Sequence, residues 1–172
     1  LWLGDMQVTA ENFKSVPLTD GTAQYDPLSK RLFLENAIIS PTGEGEGLKS
    51  MIDGLAVYAD GLNVITTTSA TALHNEAPHF TVAGDGRIFL SGKSFGFYTV
   101  PGSAATFKGC VIDCDGSFGS DNDGAEINVS SATIKARGKD KATMCGLKKL
   151  TLEGSSIVKP EGADYDASLL GV

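Results

Sequence analysis

The stretch Gly124-Ala-Glu-Ile-Asn-Val-Ser-Ser-Ala-Thr-Ile-Lys-Ala-Arg-Gly138 constrains the fold more than any other part of the chain. Ala125, Ile127 and Val129 alternate with Glu126, Asn128 and Ser130, the period of a strand with one buried face. Beyond Ser130-Ser131 the alternation returns in the opposite phase, with Ala132, Ile134 and Ala136 apolar and Thr133, Lys135 and Arg137 polar. A continuous strand that changes phase would turn its apolar set to water. Two short strands meeting at a Ser-Ser corner keep both apolar sets on one interior, with glycines marking the ends.

A chain of 172 residues is long enough for one domain with a sizeable core. With 41% hydrophobic and 20% charged residues it lies outside the disordered class. Its 21 glycines are spread too evenly for a linker and punctuate short strands instead. A formal net charge of −7, with no basic cluster beyond Lys139/Lys141 and Lys148-Lys149, argues against nucleic acid as a partner. No apolar run approaches the roughly 18 residues of a membrane-spanning helix. The chain begins at Leu1 without a Met, so it is expected to be a segment cut from a larger precursor, and the lack of a signal peptide says nothing about export. Cys110, Cys114 and Cys145 have no metal-site spacing; they read as structural thiols, with one bridge and a spare thiol as the alternative.

Degenerate copies of the corner unit recur. Leu32 and Leu34 face inward, and Ala37 and Ile39 continue in shifted phase. Leu55–Tyr58 and Leu62–Ile65 flank Asp60-Gly61, and Ala105–Phe107 changes phase at Gly109 before Cys110–Cys114. Between Leu62 and Ile65 the pattern leaves open whether Asn63 or Val64 points inward. Arg31-Leu-Phe-Leu34 and Arg87-Ile-Phe-Leu90 are near copies, and equivalent strands recur at intervals of roughly 20 to 30 residues, as in solenoids. A β-sandwich explains short strands but not repeated corners, and a leucine-rich pattern occurs only once, at Leu147–Leu152. The expected fold is an all-β, single-stranded, right-handed parallel β-helix spanning 1–172. Residues 1–20 are expected to supply a first strand, Leu1–Thr9, and a cap in which Thr9 starts one or two helical turns up to Val16. Tyr25–Lys30 reads as a turn, and 159–172 as the C-terminal cap. No coil offsets its own backbone ordering, so stability is shared between stacked neighbours and the ends need covering.

Five pieces carry a resemblance: Gly4–Thr9, Tyr25-Asp-Pro with Leu32–Ala37, Gly61–Ile65, Phe107–Cys110 and Pro160–Ala163. In that order the chain resembles the repetitive β-helix domains of surface proteins from gut bacteria of the Bacteroides and Prevotella type. These are similar in turn to a clostridial carbohydrate-binding β-helix family that recognises acidic plant polysaccharide and carries calcium. The resemblance implies export, a cell-surface setting and glycan binding, and transfers no catalytic residue.

Two groups of residues invite chemistry. Asp113, Asp115, Asp121 and Asp123, in Asp113-Cys-Asp-Gly116 and Asp121-Asn-Asp-Gly124, read as acidic turns that would hold calcium if they converged at one coil edge. The helix-loop-helix calcium pattern fails, because it puts Gly119 at the first ligand position and Ser130 at the bidentate one. Arg31, Phe33, Arg87 and Phe89 occupy outward slots of the copied strands. In one sheet they would offer rings for sugar faces and guanidinium groups for carboxylates, which suits an acidic polysaccharide. The alternative is that Phe33 and Phe89 are covered. His74 and His79, around Pro78, read as loop residues rather than metal ligands.

No Gly-x-Ser-x-Gly elbow accompanies the many Ser and Asp residues, and no pair of carboxylates stands out for glycoside hydrolysis. The expectation is a non-catalytic extracellular or cell-surface binding or spacer module for a polysaccharide. One alternative is a calcium-dependent polysaccharide lyase with Lys135 or Arg137 as the base; another is an adhesive segment that binds a protein.

Overall fold

Inward-facing Leu, Ile, Val, Phe and Ala at every second position wind the chain into stacked parallel coils, a β-solenoid of about five turns. The computed structural model describes residues 1–122, 124–139 and 142–158, and no helix occurs among them. Each coil contributes strands to three faces. The first face runs from Arg31–Ile39 through Leu55–Asp60, His79–Gly84, Ala104–Lys108 and Ala125–Ser130 to Leu147–Glu153, each paired in parallel with the next. The second begins at the C-terminal half of Arg31–Ile39. It continues through Leu62–Thr66, the start of Arg87–Thr99, the start of Val111–Gly119 and Thr133–Arg137 to Ser156–Val158. The third stacks Leu48–Ser50, Leu73–Asn75, the ends of those two long strands, and Met144–Cys145.

The register sets the length of a coil. Arg31, Ala56, Thr81 and Thr106 share one rung at steps of 25 residues, followed by Asn128 and Thr151 at steps of 22 and 23. Inside, Leu32, Val57, Val82, Phe107 and Val129 form one continuous column and are all fully buried. Leu152 ends that column and is 48% exposed. Each inward side chain therefore owes its burial to neighbours on both sides. Phe80, Phe97, Phe107 and Phe118 pack together in the middle, with ring centroids 4.8–6.2 Å apart. Asn75 adds a buried polar link, donating from Nδ2 to Thr99 Oγ1 at 2.9 Å and to the Ala77 carbonyl at 2.7 Å. That satisfies groups which burial would otherwise penalise.

The phase changes are corners, as expected. Ser131 and Asn36 both adopt positive φ, 49° in each case, and the apolar residues on either side face one core. At the Asn36 corner the carboxamide oxygen accepts the Leu62 amide at 3.1 Å. Gly61 lies directly against it, with φ of 62° and only 2.2 Å between a hypothetical Cβ and Asn36 Oδ1. Only glycine meets both demands there. Asn63 is the inward residue, fully buried; its Oδ1 accepts the Ala37 amide at 2.9 Å and its Nδ2 donates to the Asp60 carbonyl.

The N-terminal cap differs from the expectation. Leu1–Thr9 is not one strand: Trp2–Leu3 and Met6–Gln7 form a small antiparallel hairpin that seals Leu48–Ser50. Thr9 caps a single turn, accepting the Glu11 amide on Oγ1 while Asn12 Oδ1 accepts the Thr9 amide. Tyr25 and Asp26 belong to a strand, Asp20–Asp26, which lies antiparallel on Arg31–Ile39 and closes the first face beyond residue 20. Its other edge is satisfied at the Tyr25 amide, which donates to the Phe13 carbonyl, and at the Ala23 carbonyl, which accepts the Val16 amide. A sheet edge covered in this way is no template for another chain. The expected C-terminal cap, 159–172, lies outside the described residues.

Candidate ligand-binding site

The copied tetrapeptides lie on different faces. Arg31 and Phe33 pair with Ala56 and Tyr58 on the first face, whereas Arg87 and Phe89 pair with Leu62 and Val64 on the second. The four residues therefore form no single surface. They start 56 residues apart, six more than two coils of 25, and that offset carries the second copy round the corner.

The first face has an aromatic partner that the sequence reading did not single out. Phe33 and Tyr58 occupy the same outward rung of successive coils and stack, with centroids 5.5 Å apart and an interplanar angle of 24°. Phe33 is 42% exposed, so no loop covers it. The guanidinium of Arg31 lies 5.3 Å from the Tyr58 ring centre, a cation–π contact. Beside the rings runs an open groove of about 380 Å³, whose lining includes Thr22, Gln24, Glu35, Asp60 and Asp85. Thr22 and Gln24 come from the antiparallel strand on one side. Glu35 and Asp60 are register partners, and Asp85 follows Gly84, the partner of Ala59. The three carboxylates thus climb the groove one coil at a time, about 4.8 Å per step. All three are exposed, and among the described residues none has an ion-pair partner.

On the second face the acidic residues read as turns are strand residues. Asp113 and Asp115 point outward from Val111–Gly119, opposite Phe89 and Ser91 in one neighbouring coil and Lys135 and Arg137 in the other. Half-buried Phe89, with Asp113, Asp115, Lys135 and Arg137, lines a shallow depression of about 320 Å³. Both carboxylates are engaged: Arg87 Nε lies 2.5 Å from Asp113 Oδ2, and Lys139 Nζ 2.8 Å from Asp115 Oδ2, which also accepts from Ser91 Oγ at 3.1 Å. Asp121 lies beyond the third-face end of the same strand and accepts a 3.0 Å hydrogen bond from Tyr98 OH. Asp113 and Asp115 do not share a coil edge with Asp121, because a whole side of the coil separates the first two from the third. Asp123 lies outside the described residues. Among the described residues no group of three or more His, Cys, Asp or Glu is placed to hold a metal ion.

The third face carries an outward row, Trp2, Lys49, His74 and Tyr98, that the sequence did not disclose. His74 is therefore a strand residue, with Nδ1 against Glu46 and the ring edge-on to Tyr98. Lys49 bridges Glu76 at 2.7 Å and Glu46 at 3.3 Å. The hydrogen bond from Lys49 holds the Glu76 carboxyl below the usual carboxylate range and raises the lysine in turn. Burial, reinforced by Asp121, pushes the Tyr98 hydroxyl up to about 12, so it is a donor throughout the physiological range. His79, also a strand residue, sits exposed on the first face, 2.9 Å from Asp53. The two histidines do not meet.

Cys110 and Cys114 form no disulfide, and burial pushes their thiols up to about 11 and about 12, which makes them inert packing groups. By architecture the chain is a parallel β-solenoid. No protein-family model, curated protein or solved structure matches it.

Proposed function

We propose that this solenoid is a non-catalytic, extracellular or cell-surface module that binds a glycan in the first-face groove. The observation that supports it most is the Phe33–Tyr58 stack, half-open to solvent and flanked by Gln24, Thr22 and carboxylates. Rings present the apolar surface on which a sugar face packs, and side-chain amides and carboxylates accept and donate to its hydroxyls. The sequence resemblance to surface β-helix domains points to the same role. Affinity electrophoresis against a panel of immobilised polysaccharides tests it, using wild type and the Phe33→Ala/Tyr58→Ala double variant. Retention by at least one polysaccharide, lost in the double variant with its melting temperature nearly unchanged, is the expected result. Equal retention of both proteins would move the contact elsewhere, and no retention on any polysaccharide would sink the reading.

A calcium-dependent lyase is the second reading, favoured by Asp113, Asp115, Lys135 and Arg137 lining one depression. Against it, Arg87 and Lys139 already neutralise the two carboxylates that would hold the ion. Incubation with polygalacturonate and calcium, following ultraviolet absorbance of unsaturated product, separates the two readings. Sustained turnover would replace the binding module with an enzyme.

A further inference from the structure

Charge in the first-face groove has one sign. Glu35, Asp60 and Asp85 stand on successive coils along one side, and the described residues supply no ion-pair partner for any of them. Arg31, the nearby cation, is directed onto the Tyr58 ring. On the second and third faces several outward carboxylates meet cations: Asp113 with Arg87, Asp115 with Lys139, and Glu46 and Glu76 with Lys49. Like charges stacked on neighbouring strands repel. In this molecule they are stacked where two aromatic rings open a groove and not where side chains of the protein could offset them. Nor do the three carboxylates converge on one point as metal ligands would. They are spread along the groove, so the compensating charge would have to be spread along it too.

We propose that the groove is selective for amino-sugar chains: the rings take the apolar face of a pyranose while Asp60 and Asp85 receive a ligand ammonium group. This rests on the glycan-binding reading and narrows it to a chemical class. A uronate chain, the ligand implied by the sequence resemblance, would set its carboxylates against those of the groove. A glucose chain offers hydroxyls to the same acceptors and gains no charge term, so it ranks between the two.

Isothermal titration with three oligosaccharides of equal length, made of glucosamine, glucose or galacturonate, reads out this order at pH 6 and low ionic strength. Exposed charge pairs of this kind are each modest, so the glucosamine chain should bind about three- to tenfold more tightly than the glucose chain. The galacturonate chain should bind more weakly than both. The Asp60→Asn/Asp85→Asn variant should lose the preference for glucosamine over glucose, and added salt should shrink the preference in wild type only. Phe33→Ala should weaken all three.

Tighter binding of galacturonate, equal binding of glucose and glucosamine, or a preference that survives Asp60→Asn/Asp85→Asn would overturn the amino-sugar assignment. Glycan binding that depends on Phe33 would then still stand. If none of the three chains bound, and a lysine-rich peptide did, the glycan reading would fall together with the assignment.

Discussion

The groove end of the first face and the second face are built from the same kind of strand, yet they handle charge in opposite ways. On the second face each outward carboxylate has a cation opposite or diagonal to it, so Asp113 and Asp115 are answered by Arg87 and Lys139. At the groove end of the first face Glu35, Asp60 and Asp85 repeat the same sign coil after coil beside a half-exposed aromatic pair. A surface whose charges are satisfied internally has little to offer a ligand except at the expense of its own ion pairs. A surface that keeps its charge uncompensated loses a little stability and gains complementarity. On the binding reading proposed above, the difference separates a structural face from a recognition face within one regular scaffold.

The comparison assumes that Phe33 and Tyr58 decorate the scaffold and do not hold it together, and this assumption carries the largest expected effect. Phe107→Ala, in the central ring cluster, should lose about 3–5 kcal/mol of stability. Phe33→Ala, with its ring 42% exposed, should lose about 1 kcal/mol or less. Urea titration of both variants measures the gap. Comparable losses would make Phe33 a core residue and remove the platform.

The corners show how much of this was readable. Phase switches at Asn36 and Ser131 are visible in the sequence because alternation is local, and both are bends into a common core. Which face a strand joins is not local. It depends on the 25-residue coil, and six extra residues between Arg31-Leu-Phe-Leu34 and Arg87-Ile-Phe-Leu90 put the copies on different sides. For the same reason Tyr58 could be assigned to a strand but not set beside Phe33, since their contact is a matter of register. The first acidic segment failed differently. Asp and Gly favour turns for local reasons, but in Val111–Gly119 the alternating Ile112 and Cys114 are buried, and inter-coil pairing outweighs the turn preference of Asp113 and Asp115.

An intermediate effect comes from the third face, which resembles the second in pairing its charges. The Lys49 hydrogen bond holds the folded Glu76 carboxyl below its ordinary value of 4.5. A depressed carboxylate contributes its stability fully above the unfolded value and loses it as pH falls through the folded one. The pair is partly exposed, so the contribution is at most about 1 kcal/mol, or up to roughly 4 °C in melting temperature. Melting wild type and Glu76→Gln from about pH 6 to about pH 3 should show the shallower acid loss in the variant. Parallel curves would mean that the Lys49 contact gives no net stabilisation.

The smallest effect is the most discriminating, because it changes sign between faces. Asp60→Asn removes one member of a like-charged row and should raise stability by a few tenths of a kcal/mol. Asp113→Asn leaves the Arg87 guanidinium without its carboxylate and should lower stability by about 0.2–1 kcal/mol. Both shifts are electrostatic and exposed, so both should fade between about 10 mM and 1 M salt, where the screening length drops from about 30 Å to about 3 Å. Differential scanning calorimetry at the two salt concentrations resolves the signs. If Asp60→Asn were destabilising at low salt, the first-face carboxylates would be compensated within the protein after all. The contrast between a recognition face and a structural face would then have to rest on the aromatic rings alone.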